Sequence, residues 1–236
     1  MLKNPVRIVT AAALFDGHDA SINIIRRMLQ EAGAEVIHLG HNRSVDDVVK
    51  AVLQEGAQGV CISSYQGGHM EYFKYLKDLL TENGAGYVQI FGGGGGVIIH
   101  DEKKELEAYG IAQIFHPDDG RRLGLEGMIQ MIAQGCDFNI LEAKHKIAKP
   151  TQKPIDLPSF ELGVALTAIE NGQKIENFES FGLEKFKRTE NNPLVLGITG
   201  TGGAGKSSLI DELSQRFLNA YPDKKIAIVC VDPSKR

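Results

Sequence analysis

The chain has 236 residues, of which 42% are hydrophobic and 24% are charged, with a formal net charge of -4. This is the composition of a globular protein with room for one large domain, or one medium domain plus part of another. The mild acidity excludes a basic surface for nucleic acid and a polybasic segment for membranes. Neither an apolar signal region nor an apolar run of about 18 residues is present, so we expect a cytoplasmic protein. The cysteines, Cys61, Cys136 and Cys230, are scattered and predict reduced core residues.

The first 142 residues alternate strand-like and helix-like segments. Apolar runs rich in Val, Ile and Ala predict buried strands over 6–14, 35–39, 59–63, 87–91 and 111–115. Apolar residues at helical spacing predict helices over 22–33, 45–55 after an N-cap at Ser44, 69–84, 101–109 and 122–134. This alternation predicts an α/β fold, a flavodoxin-like doubly wound parallel five-stranded sheet in the order 2-1-3-4-5. Its binding crevice is expected at the carboxyl ends of the first and third strands.

Three unusual loops meet at this crevice in the predicted topology: 16–21, 63–69 and 92–96. The first carries His18, and Asp16 could bond one imidazole nitrogen and leave the other free for a metal. The other two loops offer hydroxyls and bare glycine backbone, against which a bulky planar ligand could lie. Taken alone, Asp-x-His is a weak signal, since a solvated His18 beside a helix N-cap fits the same residues.

The starts of these loops resemble the cobalamin-binding pattern of the acyl-CoA mutases and methionine synthase, which reads Asp-x-His-x-x-Gly, then Ser-x-Leu, then Gly-Gly. The matching residues are Asp16, His18, Ser63, Tyr65, Gly92 and Gly93. The resemblance implies that His18 is the lower axial ligand to the cobalt of adenosylcobalamin, and that Asp16 is its partner. It places the displaced nucleotide tail beside the first strand. Two residues depart from the pattern: Ser21 stands at its last glycine and Tyr65 at its leucine.

A second motif begins near residue 193. The run 193–199 predicts a strand, and residues 200–207 fit G-x-x-x-x-G-K-[ST] in full before a helical segment. Backbone N–H groups at the helix start would hold nucleotide phosphates, Lys206 would reach the outer phosphates, and Ser207 would hold Mg²⁺. The predicted phosphate-binding residues are Gly200, Gly202, Gly203, Ala204, Gly205, Lys206, Ser207 and Ser208.

The next predicted strand, 226–231, ends at Asp232. This segment resembles the metallochaperone GTPases that load and protect cobalamin mutases, and the resemblance implies GTP as the nucleotide and Asp232 near the magnesium site. We therefore divide the chain into a cobalamin domain at 1–142, a linker at 143–192 and the start of a P-loop GTPase at 193–236. Within the linker, Ser159 to Glu170 predicts a helix.

The order of the two domains resembles acyl-CoA mutases that are fused to their GTPase chaperone. The resemblance implies an isomerase that rearranges an acyl-CoA carbon skeleton by radical chemistry, of the isobutyryl-CoA to n-butyryl-CoA type, with GTP hydrolysis in the chaperone domain. A barrel of roughly 250 residues would bind the acyl-CoA, and the chain has no residues left for it. We therefore expect the N-terminal piece of a longer enzyme that is homodimeric in full, with no mutase activity in this piece.

Three alternatives share parts of this pattern. A non-catalytic cobalamin carrier with its own GTPase is the alternative from a different functional class. A receiver domain needs a phosphorylatable aspartate after the third strand, where Ser63 and Ser64 stand. A flavodoxin favours a hydroxyl-rich phosphate loop after the first strand, where Asp16-Gly17-His18-Asp19 stands. The other histidines lack metal-like spacing, and for the two nearest the crevice, His69 and His100, we expect surface or capping roles.

Overall fold

The computed structural model describes residues 2–17, 20–145, 157–170, 172 and 194–230. Contacts divide the chain into two compact units, Met1–Lys187 and Arg188–Arg236. Among the described helices, none combines the length and the apolar character needed to cross a membrane.

The first unit is built on one parallel sheet. Its strands are β1 (Arg7–Ala13), β2 (Glu35–Arg43), β3 (Gly59–Ser63), β4 (Gln89–Gly93) and β5 (Gln113–Phe115). Every pair is parallel and the order is β2-β1-β3-β4-β5, which confirms the predicted topology. β2 continues past Gly40, where the sequence predicted its end, because the register with β1 shifts after Thr10 and pairing resumes.

Seven helices are described in this unit. They are α1 (Ala20–Glu31), α2 (Val45–Glu55), α3 (His69–Glu82), α4 (His100–Tyr109), α5 (Pro117–Gly135), α6 (Ile140–His145) and α7 (Leu157–Glu170). Ser44 caps α2 as predicted, since its hydroxyl accepts the Asp47 N–H at 3.2 Å. α5 begins at Pro117, earlier than the predicted residue 122, and it is broken at Gly124, whose φ is 65°. The sequence did not predict α6.

The core lies on both faces of the sheet because alternate strand residues point to opposite sides. Val9, Ala11 and Ala13 of β1 belong to the cluster that packs against α2, α3 and α4. Ile8 belongs to the opposite cluster, which is covered by α1 and α5. β1 and β3 are therefore buried on both sides, as their continuous apolar sequence predicted, whereas the edge strand β2 was predicted to be buried but is partly exposed.

α7 packs against α2, although the chain between α6 and α7 lies outside the described residues. The approach is close, since a Cβ at Gly163 would lie 2.6 Å from the Gln54 carbonyl oxygen. Arg7 on β1 donates to the Thr167 hydroxyl at 2.7 Å and also forms an ion pair with Glu170. This helix, predicted from residue 159, thus belongs to the packing of the first unit.

The second unit contains α8 (Lys206–Ala220), which follows the glycine-rich loop as predicted. The two flanking strands were predicted wrongly, since residues 194–200 and 224–230 form no strand. A strand needs neighbours that pair its backbone and cover its side chains, and the described residues of this unit provide none. Leu194 is fully exposed, and Cys230 is exposed where the sequence predicted a core position.

Candidate functional site

A cavity of about 290 Å³ lies at the carboxyl ends of β3, β4 and β5, beneath α1 and α5. Its walls are mainly apolar, with Ile22 and Ile25 from α1 and Leu125 from α5. Polar groups reach it from the strand ends and loops, among them Ser63 and Tyr65. A cavity with apolar walls and a few polar groups suits a flat organic ligand with a small number of hydrogen-bonding atoms.

Asp16 joins the loop after β1 to the loop after β3. Its side chain is buried, and one carboxylate oxygen accepts the Tyr65 backbone N–H at 2.6 Å. Its own carbonyl oxygen accepts the Asn42 N–H at 3.3 Å. The buried carboxylate therefore holds two loops at one edge of the sheet. Two predicted site residues, His18 and Asp232, lie outside the described residues.

Two hydroxyls at the end of β3 are buried without a partner. The Ser63 and Ser64 side-chain oxygens are enclosed, and the described residues offer neither of them a hydrogen bond. The Ser64 backbone is held in place, because its N–H donates to the Gly93 carbonyl at 2.8 Å. A buried hydroxyl without a partner costs about 1 to 3 kcal/mol. Polar atoms of a ligand would remove this cost, and Ser63 lines the cavity.

The glycine run after β4 serves packing as well as the cavity. A Cβ at Gly92 would lie 2.3 Å from the Phe73 ring, and a Cβ at Gly94 would lie 1.9 Å from the Ser64 carbonyl oxygen. These two positions require glycine whether or not a ligand binds. Gly93 also lines the cavity, with the Phe115 carbonyl oxygen 3.4 Å from where its Cβ would be. Close approach of backbone to backbone therefore accounts for part of this run.

The two residues that depart from the cobalamin pattern contact each other. The Ser21 and Tyr65 hydroxyl oxygens are 3.2 Å apart, and both residues line the cavity. The Tyr65 ring lies over Gly95, where a Cβ would be only 2.9 Å from the ring. The serine and the tyrosine thus form one hydrogen-bonded unit at the solvent-exposed rim.

His69 ties together the loops after β3 and β4. Its Nδ1 lies 3.1 Å from the Gln66 carbonyl oxygen, and its Nε2 lies 3.0 Å from a Glu102 carboxylate oxygen. The ring therefore bridges the loop after β3 and the first turn of α4. The Ile99 N–H and the His69 ring lower the pKa of Glu102. His69 is buried and does not lie at the surface, and as the first residue of α3 it holds the start of this helix against the preceding loop.

Sequence reasoning missed the contribution of α5 to the cavity. The cavity is lined by the first residues of this helix and by the residue after its break at Gly124, namely His116, Pro117, Gly120 and Leu125. The available signal was the series of glycines at 120, 124 and 127 inside a helical pattern. Glycines within a helical pattern lower the stability of the helix but allow a neighbouring group to approach its backbone closely.

In the second unit, the glycine-rich loop curls around the ammonium group of Lys206. This group donates to the carbonyl oxygens of Gly200 and Thr201, at 2.7 Å in each case. Gly203 and Gly205 have φ values of 75° and 80°, a conformation that favours glycine. Ser207 and Ser208 lie in the exposed first turn of α8, where free backbone N–H groups attract phosphate.

Comparison with known proteins finds two families along the chain. The B12 binding domain matches residues 6–119, and the methylmalonyl-CoA mutase-associated GTPase MeaB matches residues 162–236. The class of protein is therefore a B12-binding domain followed by a mutase-associated GTPase.

Individual relatives agree with this class. The fused isobutyryl-CoA mutase of Geobacillus kaustophilus is 56% identical over 99% of this chain and 22% of that protein. The fused isobutyryl-CoA mutase of Cupriavidus metallidurans is 55% identical over 99% of this chain and 21% of that protein. The pivalyl-CoA mutase small subunit of Xanthobacter autotrophicus is 30% identical over 50% of this chain and 77% of that protein. The chain belongs to the fused isobutyryl-CoA mutase family and spans about a fifth of the length of the fused relatives.

Proposed function

We propose that the first unit binds adenosylcobalamin with its nucleotide tail in the cavity and with His18 as the lower axial ligand to cobalt. The observation that carries this proposal is the buried Ser63 hydroxyl, which lines an apolar cavity and has no hydrogen-bond partner among the described residues. The planar, apolar benzimidazole of the tail suits the apolar walls, and the polar atoms of its ribose and phosphate suit the hydroxyl. The match of residues 6–119 to the B12 binding domain supports the same ligand.

Each pattern residue has a distinct task in this proposal. Asp16 holds the start of the loop after β1 against the loop after β3 through the Tyr65 N–H. Ser63 bonds the tail, while Gly92 and Gly93 form the backbone wall beside it. Tyr65 covers the rim with Ser21 as its partner. The bound cofactor would supply an adenosyl radical by homolysis of its cobalt–carbon bond.

We propose that the second unit binds GTP with Mg²⁺. The loop residues Gly200, Gly202, Gly203, Ala204 and Gly205 would surround the phosphates with backbone N–H groups. Lys206 would exchange its two carbonyl contacts for phosphate oxygens. Ser207 would bind Mg²⁺ with help from Asp232, and Ser208 would bond a phosphate. The match of residues 162–236 to the MeaB GTPase supports guanine as the base.

For the full-length protein we propose a radical isomerase of the isobutyryl-CoA to n-butyryl-CoA type. An acyl-CoA would bind in a barrel outside this chain, and the GTPase domain would act as chaperone for the cofactor. We propose domain limits at 1–142, 143–192 and 193–236, a homodimeric assembly and a cytoplasmic location. The buried free thiols of Cys61 and Cys136 support a reducing compartment.

The buried hydroxyls allow a test with two readouts of opposite sign. Replacement Ser63→Ala removes a buried hydroxyl that has no hydrogen-bond partner among the described residues, so the ligand-free protein should gain about 1 kcal/mol of unfolding free energy. The same change should weaken cobalamin binding about fivefold to tenfold, measured by calorimetric titration. Ser214→Ala on α8 is the matched control. Its hydroxyl donates to the Ile210 carbonyl in the second unit, and Ser214 does not line the cavity. Stabilisation without any loss of cobalamin affinity would refute the proposed role.

A separate test addresses the nucleotide. Lys206→Ala should abolish binding of a fluorescent GTP analogue and leave cobalamin affinity unchanged, because the two ligands occupy different units. Lys225→Ala, an exposed lysine after α8, is the control. Equal GTP binding by the parent and Lys206→Ala would contradict the assignment of the loop.

A further inference from the structure

Two histidines and an aspartate meet where α4 and α5 begin. His100 is the first residue of α4, His116 is the N-cap of α5, and Asp118 lies in the first turn of α5. They come together because β4 and β5 are parallel neighbours, so the helices that follow them start side by side. In the part of the chain that the structure describes, this is the group of His, Cys, Asp or Glu side chains whose geometry fits a metal ion.

The distances within this cluster suit tetrahedral coordination. One Asp118 carboxylate oxygen lies 3.2 Å from His100 Nε2 and 3.2 Å from His116 Nδ1. Metal–ligand bonds of about 2.0 to 2.1 Å at tetrahedral angles place neighbouring ligand atoms about 3.3 Å apart. The rings themselves are close, with centroids 4.1 Å apart. Small side-chain rotations would bring all three ligand atoms to one ion.

The electrostatics of His116 also favour a cation. As the N-cap of α5, its Nδ1 accepts the Asp118 backbone N–H at 3.3 Å, a long hydrogen bond that a metal ion at this nitrogen would replace. The same nitrogen lies 3.2 Å from an Asp118 carboxylate oxygen, so two atoms with lone pairs face each other. A metal ion bound by both atoms would remove their repulsion. Imidazole and carboxylate together are typical ligands of Zn²⁺.

We propose that His100, His116 and Asp118 form a binding site for Zn²⁺ or a similar divalent transition metal, with water completing the coordination. The site uses none of the residues proposed to bind cobalt or magnesium, and it joins the starts of α4 and α5 beside the cavity. Two features weaken the affinity of this site for a cation. Arg121 bonds the other Asp118 oxygen at 3.0 Å, and the positive ends of two helices lie at the site.

The test is a calorimetric titration of Zn²⁺ into the nucleotide-free and cobalamin-free protein. His100→Ala is the main variant, because the ring is 61% exposed and its loss should not disturb the fold. Asp118→Asn tests the carboxylate, and His41→Ala, an exposed histidine on β2, is the matched control. Arg121→Gln removes the cation that competes for Asp118.

We expect one Zn²⁺ per chain in the parent and in His41→Ala. Affinity should fall at least tenfold in His100→Ala and in Asp118→Asn, and it should rise severalfold in Arg121→Gln. With Co²⁺ in place of Zn²⁺, visible absorption bands of a four-coordinate site should appear in the parent and be absent from His100→Ala. No binding by the parent at millimolar Zn²⁺, or equal binding by the parent and His100→Ala, would overturn the proposal.

Discussion

The hydroxyl oxygens of Ser21 and Tyr65 lie 3.2 Å apart at the rim of the cavity, which joins the first turn of α1 to the loop after β3. The cobalamin-binding pattern has glycine and leucine at these positions, and neither residue could form this bond. The two residues that depart from the pattern therefore form a single hydrogen-bonded pair. A bond at an exposed site should contribute about 0.5 to 1 kcal/mol.

A double-mutant cycle measures this coupling. Ser21→Ala should lower the unfolding free energy by less than 1 kcal/mol in the parent, and the effect should vanish in a Tyr65→Phe background. The cycle cancels the helix propensity that alanine adds to α1. Denaturant unfolding of the four proteins gives the value. Identical effects of Ser21→Ala in both backgrounds would show that the hydroxyls are not coupled.

Alanine substitutions at Gly94 and Gly96 test the packing of the loop after β4, because only one of the two positions is crowded. Gly94→Ala would place a Cβ 1.9 Å from the Ser64 carbonyl oxygen, and backbone cannot yield as a flexible side chain does. We expect a loss of about 2 kcal/mol or more in stability and weakened cobalamin binding. Gly96→Ala meets nothing within 4 Å and should be neutral in both measurements. Equal behaviour of the two variants would contradict the described loop.

Asp119 should make stability depend on pH in the acid range. Burial alone would raise its pKa, but bonds from Lys103, the His116 N–H and Arg122 lower the pKa below its usual value. The carboxylate therefore stabilises the fold above its unfolded pKa of about 4, and this contribution is lost as the pH falls through the lower folded value. Asp119→Asn should cost about 1 to 2 kcal/mol at pH 7, with the difference shrinking below pH 4.

Urea unfolding at several pH values checks this prediction. Asp101→Asn is the control, since this carboxylate is exposed and pairs only loosely with Lys104, at 3.4 Å. The control should follow the parent at every pH. A constant difference between Asp119→Asn and the parent from pH 7 to pH 3 would show that the lowered pKa does not stabilise the fold.

The three thiols should differ sharply in reactivity. Burial raises the pKa of Cys61 well above its ordinary value, with Cys136 adding to the effect, and burial raises the pKa of Cys136 to about 12. Cys230 is exposed. A disulfide reagent at pH 8 should therefore modify one thiol per chain quickly and all three after denaturation. Fast reaction of more than one thiol in the native protein would be inconsistent with the buried pair.

The sequence predicted the parallel sheet well because its strands are continuous apolar runs separated by clear helical periodicity. β3 was predicted at its observed limits, and β2 was too short only because pairing resumes after Gly40. The predicted strands beside the P-loop failed for a different reason. Apolar sequence alone cannot form a strand without neighbours, and the described residues of the second unit supply none.

Contacts between distant residues were beyond the reach of sequence patterns. His100 and His116 are neighbours only because two adjacent strands deliver two helix starts to one place. The bond between Ser21 and Tyr65 joins two positions that the sequence showed only as separate departures. The Ser63 and Ser64 hydroxyls have no hydrogen-bond partner among the described residues, and this depends on what the fold places around them, which no local pattern specifies.

The central claim is that His18 binds the cobalt of adenosylcobalamin while the nucleotide tail enters the cavity. Optical titration of the cofactor with the parent, His18→Ala and His41→Ala tests it most directly. We predict loss of the benzimidazole-bound spectrum with all three proteins, and a histidine-bound spectrum with the parent and His41→Ala only. A histidine-bound spectrum that persists in His18→Ala, or a parent that leaves the cofactor spectrum unchanged, would contradict the account.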